Sequence, residues 1–166
     1  MIKRWLKEYL RYHPLRETMF VREIIEEMRE SDLPYCPSWE GDLIWSLITL
    51  NHYSRCLETG FGTGSTALYM LDAVGDHGDV VSIDISPASF NEIGSKNLRR
   101  AGIQRRHSLI EEPSERVLPK FFLEGRSFDF VFIDGWKTFD HLALEIYGSS
   151  TFQVDLRISG SGAAIR

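Results

Sequence analysis

The chain has 166 residues, 43% of them hydrophobic and 26% charged, with a formal net charge of −5. That length suits one domain around a single core, and the composition is that of an ordinary globular protein. The acidic balance argues against nucleic acid as the main partner, and no apolar run approaches the ~18 residues of a membrane span. Cys36 and Cys56 stand without a CxxC or a histidine at ligand spacing. Both read as reduced and structural, the pattern of a cytoplasmic protein. The basic start, Met1–Lys7, is not followed by an uninterrupted apolar core and does not read as a secretory signal.

Residues 1–30 have helical periodicity, with one stripe of Trp5, Leu6, Tyr9 and Leu10 and a second of Phe20, Val21, Ile24, Ile25 and Met28 after Pro14. The second stripe reads as docking onto the domain body, with a homodimer contact or a lid as alternatives. Prolines at 34 and 37 mark a loop, and Leu43, Ile44, Leu47, Ile48 and Leu50 predict a buried helix. From there strands and helices alternate: a strand at 55–58, a helix at 65–74, a turn at 75–78 and a strand at 79–84. A helix at 87–101, a weak strand at 103–109, a short helix at 113–123 and an apolar strand at 128–134 follow. This rhythm predicts a doubly wound, mostly parallel α/β sheet of Rossmann type. Ligands bind such sheets at the carboxyl ends of the strands, where Glu58, Asp84 and Asp134 all fall.

The stretch from Glu58 to Ala67 carries the chemistry. Gly60, Gly62 and Gly64 alternate with Phe61 and Thr63, and Ser65 opens the next helix. Three glycines give a tight turn that a ligand can approach closely, at a helix N-terminus that favours negative charge. The segment 62–67 also satisfies the GxGxxA pattern of dinucleotide folds, and an acid such as Asp84 suits either ribose. Glu58 separates the two: a pyrophosphate gains nothing from a carboxylate beside the turn, whereas an ammonium group does. Taken without the turn, Glu58 would read as a solvated strand-end acid.

The acid-x-Gly-x-Gly-x-Gly turn resembles motif I of the class I S-adenosylmethionine-dependent methyltransferases, over about residues 40–145. The resemblance implies that Glu58, Gly60, Phe61, Gly62, Gly64 and Ser65 surround the methionine part of the cofactor. It also implies that Asp84, with Ile85 beside it, receives the ribose hydroxyls, since a carboxylate accepts two donors at once. Ser114 falls where the family contacts the adenine edge, with helix capping as its alternative.

Asp134-Gly135-Trp136-Lys137 is similar to the Asp-x-Trp-Lys segment of the catechol O-methyltransferase-like branch. By that resemblance Asp134 is a cofactor contact and a ligand of a divalent metal such as Mg2+, Trp136 a cofactor wall and Lys137 the general base. The alternatives are a turn-capping Asp134 and a solvated Lys137. The departure is Gly135, where the pattern has histidine. The activity implied is methyl transfer to a small-molecule acceptor, at oxygen; a non-catalytic domain of the same fold is the competing reading.

Three segments are expected: an N-terminal helical part at 1–38, a cofactor-binding core at 39–147 and an atypical tail at 148–166. The tail offers at most one strand, at 151–158, and a Gly/Ser-rich end. It lacks the acidic pair that the catechol-type pattern puts at the end of the fifth strand. A truncated or replaced C-terminus is therefore expected, with an open sheet edge that invites association.

Overall fold

The structure is a computed structural model and describes residues 19–85, 88–135, 143–147, 155–158 and 164–165. Helices α1 (Met19–Glu30) and α2 (Ser38–Leu50) precede strand β1 (Arg55–Thr59), helix α3 (Ser65–Val74) and strand β2 (Asp79–Ile83). Then come helix α4 (Ala88–Arg100), strand β3 (His107–Ile110), helix α5 (Ser114–Leu123) and strand β4 (Phe130–Ile133). Residues 143–147 are helical, and strands β5 (Asp155–Ile158) and β6 (Ala164–Ile165) follow. The stripe of Trp5, Leu6, Tyr9 and Leu10 lies outside the described residues, as do Trp136 and Lys137.

The strands make one sheet in the order β3-β2-β1-β4-β5-β6. All neighbours are parallel except β5 and β6. The chain therefore runs outward from β1 to β3, then crosses back to β4 on the other side of β1. This reversal between β1 and β4 is the point where a doubly wound sheet opens a crevice at its carboxyl ends.

Alternation along the strands sorts the core. Cys56, Val80, Phe130 and Phe132 pack with Val21, Ile24, Ile25 and Met28 of α1, and with side chains of α2 and α3. Leu57, Val81, Ile83, Val131 and Ile133 face the other way, against Val117, Leu118 and Phe121 of α5. Burial on both faces explains why β4 is apolar throughout, as parallel strands demand. The stripe of α1 thus docks on the sheet-bearing body through Val21, Ile24, Ile25 and Met28.

Two expectations change. Strand β3 starts at His107 because Gln104–Arg106 closes as a 3-10 turn. The tail contributes two strands rather than one at most. β5 lies parallel to β4, from Phe130↔Asp155 to Ile133↔Ile158. β6 returns antiparallel through Leu156↔Ile165 and Arg157↔Ala164. Asp155-Leu156-Arg157-Ile158 pairs with the open ladder of β4 and satisfies that strand's backbone groups, so pairing overrides the weak local signal.

Candidate functional site

The turn after β1 is built on left-handed backbone. Gly60, Gly62 and Gly64 have φ of 89°, 49° and 75°. The amide of Gly60 donates to the Ile83 carbonyl at 2.8 Å, and that of Gly64 to the Phe61 carbonyl at 2.8 Å. Gly64 then caps α3. Across the crevice, the Asp134 amide donates to the Thr59 carbonyl at 2.9 Å, so the loops after β1 and β4 meet at backbone level.

Asp84 closes this turn. Its Oδ2 accepts the amide hydrogens of Phe61 at 2.7 Å and Gly62 at 2.6 Å. Two bonds to one charged oxygen hold the glycine backbone in its strained course. The expected ribose acceptor is therefore also the clamp of the turn. Ile85 beside it is 59% exposed, on the open side of the strand end.

Glu58 is completely buried, which removes the reading of a solvated acid. It stands opposite Ser82 in the β1–β2 register. The Ser82 hydroxyl donates to Glu58 Oε1 at 2.6 Å and lies 2.6 Å from His107 Nε2. Glu58 Oε2 is buried without a hydrogen-bond partner among the described residues. Burial raises the Glu58 carboxyl well above the usual range; the Ser82 bond opposes this, and the charges of Asp134 and Asp84 add to it. Burial likewise pushes the His107 imidazole down to about 4. Its ring stacks on Phe61 of the glycine turn, with centroids 4.8 Å apart.

The loop between α1 and α2 is laced to the turn. Thr63 Oγ1 donates to the Pro34 carbonyl at 2.5 Å, and the Cys36 amide donates to Ser65 Oγ at 2.8 Å. Ser65 thus anchors a loop over the start of α3. Both thiols are free and buried, and burial raises their ionisation above the ordinary thiol range.

Ser114 does not cap α5, whose N-cap residue is Pro113 without a side-chain bond. Its hydroxyl donates instead to Glu145 Oε1 at 2.7 Å. The same carboxylate fills the room beside Gly135, where a β-carbon would lie 2.7 Å from Oε1. The position that departs from the family pattern is thus kept small by a buried acid.

A magnesium ion keeps several waters and takes one or two carboxylates. Among the described residues no group of three His, Cys, Asp or Glu stands close enough to hold a metal. Beyond Ile158 the sequence continues Ser159-Gly160-Ser161-Gly162, without an acid to complete the set around Asp134.

Sequence reasoning did not single out Ser82, His107 or Glu145. For Ser82 a signal existed: a hydroxyl between the apolar residues Val81 and Ile83, in register with Glu58. His107 and Glu145 gain their meaning from pairing and packing alone.

A sequence profile of the O-methyltransferase family matches residues 14–142. Caffeoyl-CoA O-methyltransferase 2 of Petunia hybrida is 31% identical over 101 residues, 59% of this chain and 41% of its own length. Tricin synthase 2 of Oryza sativa subsp. japonica is 30% identical over 128 residues, 74% of this chain and 43% of its own. The matches thus span about two-fifths of these curated relatives. Among solved structures, SAH-bound methyltransferase PaMTH1 from Podospora anserina superposes with a TM-score of 0.72 at 19% identity, over 93% of this chain and 68% of that one. The O-methyltransferase from Bacillus cereus in complex with SAH gives 0.66 at 20% identity, over 90% and 70%. These two likenesses are of fold.

Proposed function

Because the chain belongs to the O-methyltransferase family, we propose that it binds S-adenosylmethionine at the glycine turn and transfers a methyl group to a hydroxyl oxygen of a small molecule. One observation carries this reading. The buried Glu58 keeps an oxygen without a hydrogen-bond partner among the described residues at the strand end, beside Asp84 and Asp134, at the crevice between β1 and β4. Three carboxylates around one turn suit a ligand with cationic ammonium and sulfonium groups and oppose a pyrophosphate.

When bound, the cofactor supplies an electrophilic methyl group on sulfur. The chain's part is then to hold and aim. Glu58 receives the ammonium, and the backbone from Gly60 to Gly64, with Phe61 and Ser65, encloses the methionine part. Asp84 receives the ribose from the position where it clamps the turn, and Ile85 and Ser114 border the adenine. Trp136 walls the methyl donor, and Lys137 takes the proton from the acceptor hydroxyl. Holding nucleophile and sulfonium in line supplies most of the rate advantage in such a displacement. No resident divalent cation enters this scheme.

Calorimetric titration of the folded chain with S-adenosylhomocysteine, with and without magnesium, tests the reading. The expected result is micromolar binding that magnesium leaves unchanged. Silence towards S-adenosylhomocysteine in a folded sample, or a preference for NADH, overturns it.

A further inference from the structure

The polar side chains that cross the sheet from Glu58 have no role in the scheme above. Glu58 on β1, Ser82 on β2 and His107 on β3 form one continuous chain of hydrogen bonds, each 2.6 Å long. It begins at the buried strand end beside the glycine turn. It ends on β3, the edge strand, at a partly exposed imidazole. Phe61 ties the far end back to the turn by stacking on the His107 ring.

We propose that this chain is a proton path, which lets Glu58 become a carboxylate when a cationic ligand arrives and passes its proton to the sheet edge through Ser82 and His107. The proposal rests on the cofactor reading given above, and it assigns Ser82 and His107 as positioning residues for that site.

The electrostatics agree with the direction of transfer. Glu58 is faced by Asp84 beyond β2, by Asp134 beyond β4 and by the thiols of Cys36 and Cys56. None of these supplies positive charge, and burial favours the neutral carboxyl. His107 is held neutral by its own burial. Without ligand the proton therefore resides on Glu58 and the 2.6 Å contact runs from Glu58 to Ser82 Oγ, the reverse of the bond that Ser82 donates to a Glu58 carboxylate. Ser82 then donates to His107 Nε2, and the imidazole hydrogen is on Nδ1. An ammonium group at the strand end reverses the preference. The O–H bond of Glu58 breaks, and its proton passes to Ser82 Oγ. The Ser82 proton passes to His107 Nε2, and the imidazolium loses its Nδ1 proton to water. One proton leaves the protein, and the chain finishes as Nε2–H to Ser82 and Ser82 O–H to a Glu58 carboxylate. Ser82 can do this because a hydroxyl donates and accepts at once.

The imidazole tautomer is the readout, since a merely structural role for Ser82 would not move it. Nitrogen-15 NMR of His107 in the full chain is recorded without and with saturating S-adenosylhomocysteine, for wild type, Ser82→Ala, Ser82→Thr and Glu58→Gln. The expected result is a change from Nδ1–H to Nε2–H on binding in the wild type and in Ser82→Thr. It is absent from Ser82→Ala and Glu58→Gln, and Ser82→Ala binds about tenfold more weakly. Titrations in two buffers of different ionisation enthalpy give release of about one proton per ligand in the wild type, because a carboxyl that starts neutral must ionise. A wild type that binds the ligand with an unchanged tautomer overturns the proton path and leaves the cofactor reading standing. A folded wild type that does not bind the ligand overturns both.

Discussion

A β-carbon on Gly60 would stand 2.4 Å from the carbonyl oxygen of Asp134. The loops that follow β1 and β4 are therefore pressed together through their backbones, at the reversal of strand order that opens the crevice. Gly60→Ala is expected to destabilise the protein by roughly 2–4 kcal/mol, because it combines a backbone clash with a φ that side chains rarely adopt. Gly62→Ala has open space around it and should cost about 1 kcal/mol, for its left-handed φ alone. Urea unfolding of both variants checks this, and equal losses would show that the Gly60–Asp134 approach carries no strain.

Glu58 and His107 give the protein opposite pH dependences. Glu58 has a folded pKa raised by burial, so the stability it allows is complete below the unfolded carboxyl value and is lost as pH rises towards the raised one. His107 has a folded pKa lowered to about 4, so its contribution is present above the unfolded histidine value, about 6.5, and is lost as pH falls towards 4. Without ligand, Glu58→Gln should abolish the decline that sets in above the unfolded carboxyl value and leave the His107 contribution in place. His107→Phe, which retains a ring against Phe61, should flatten the acid limb instead. Chemical denaturation at a series of pH values reads both slopes, and a Glu58→Gln variant that keeps the wild-type decline with rising pH contradicts the assignment.

Gly135 and Glu145 should be energetically coupled. Gly135→Ala places a methyl group 2.7 Å from Glu145 Oε1, the oxygen that receives the Ser114 hydroxyl. A loss of about 1–2 kcal/mol is expected, as for other overpacked buried sites. In a Glu145→Ala background the same substitution should cost almost nothing. A double-mutant cycle measures the difference, and an additive result would mean that the carboxylate moves aside freely.

Much of the site was legible in the chain as written. The glycine turn, the acids at three strand ends and the alternation of strands with helices are local signals, set by turn chemistry and by side-chain period. They predicted a doubly wound sheet and brought Glu58, Asp84 and Asp134 to one rim, where burial and mutual charge now mark them. The tail was harder to read. Asp155–Ile158 is a weak strand by itself, and the open ladder of β4 makes it one.

The sequence alone determined the turn and its carboxylates, because φ freedom and strand-end position belong to the residues themselves. Only the tertiary structure decided how those carboxylates are used. It turned Asp84 inward to clamp two amides of the turn, and seated Ser114 on Glu145 rather than on its own helix end. It also linked Glu58 to His107 through Ser82. Those partners lie 22 to 31 residues apart. Hydrogen bonds at such separations depend on strand register and helix packing, which no local pattern encodes.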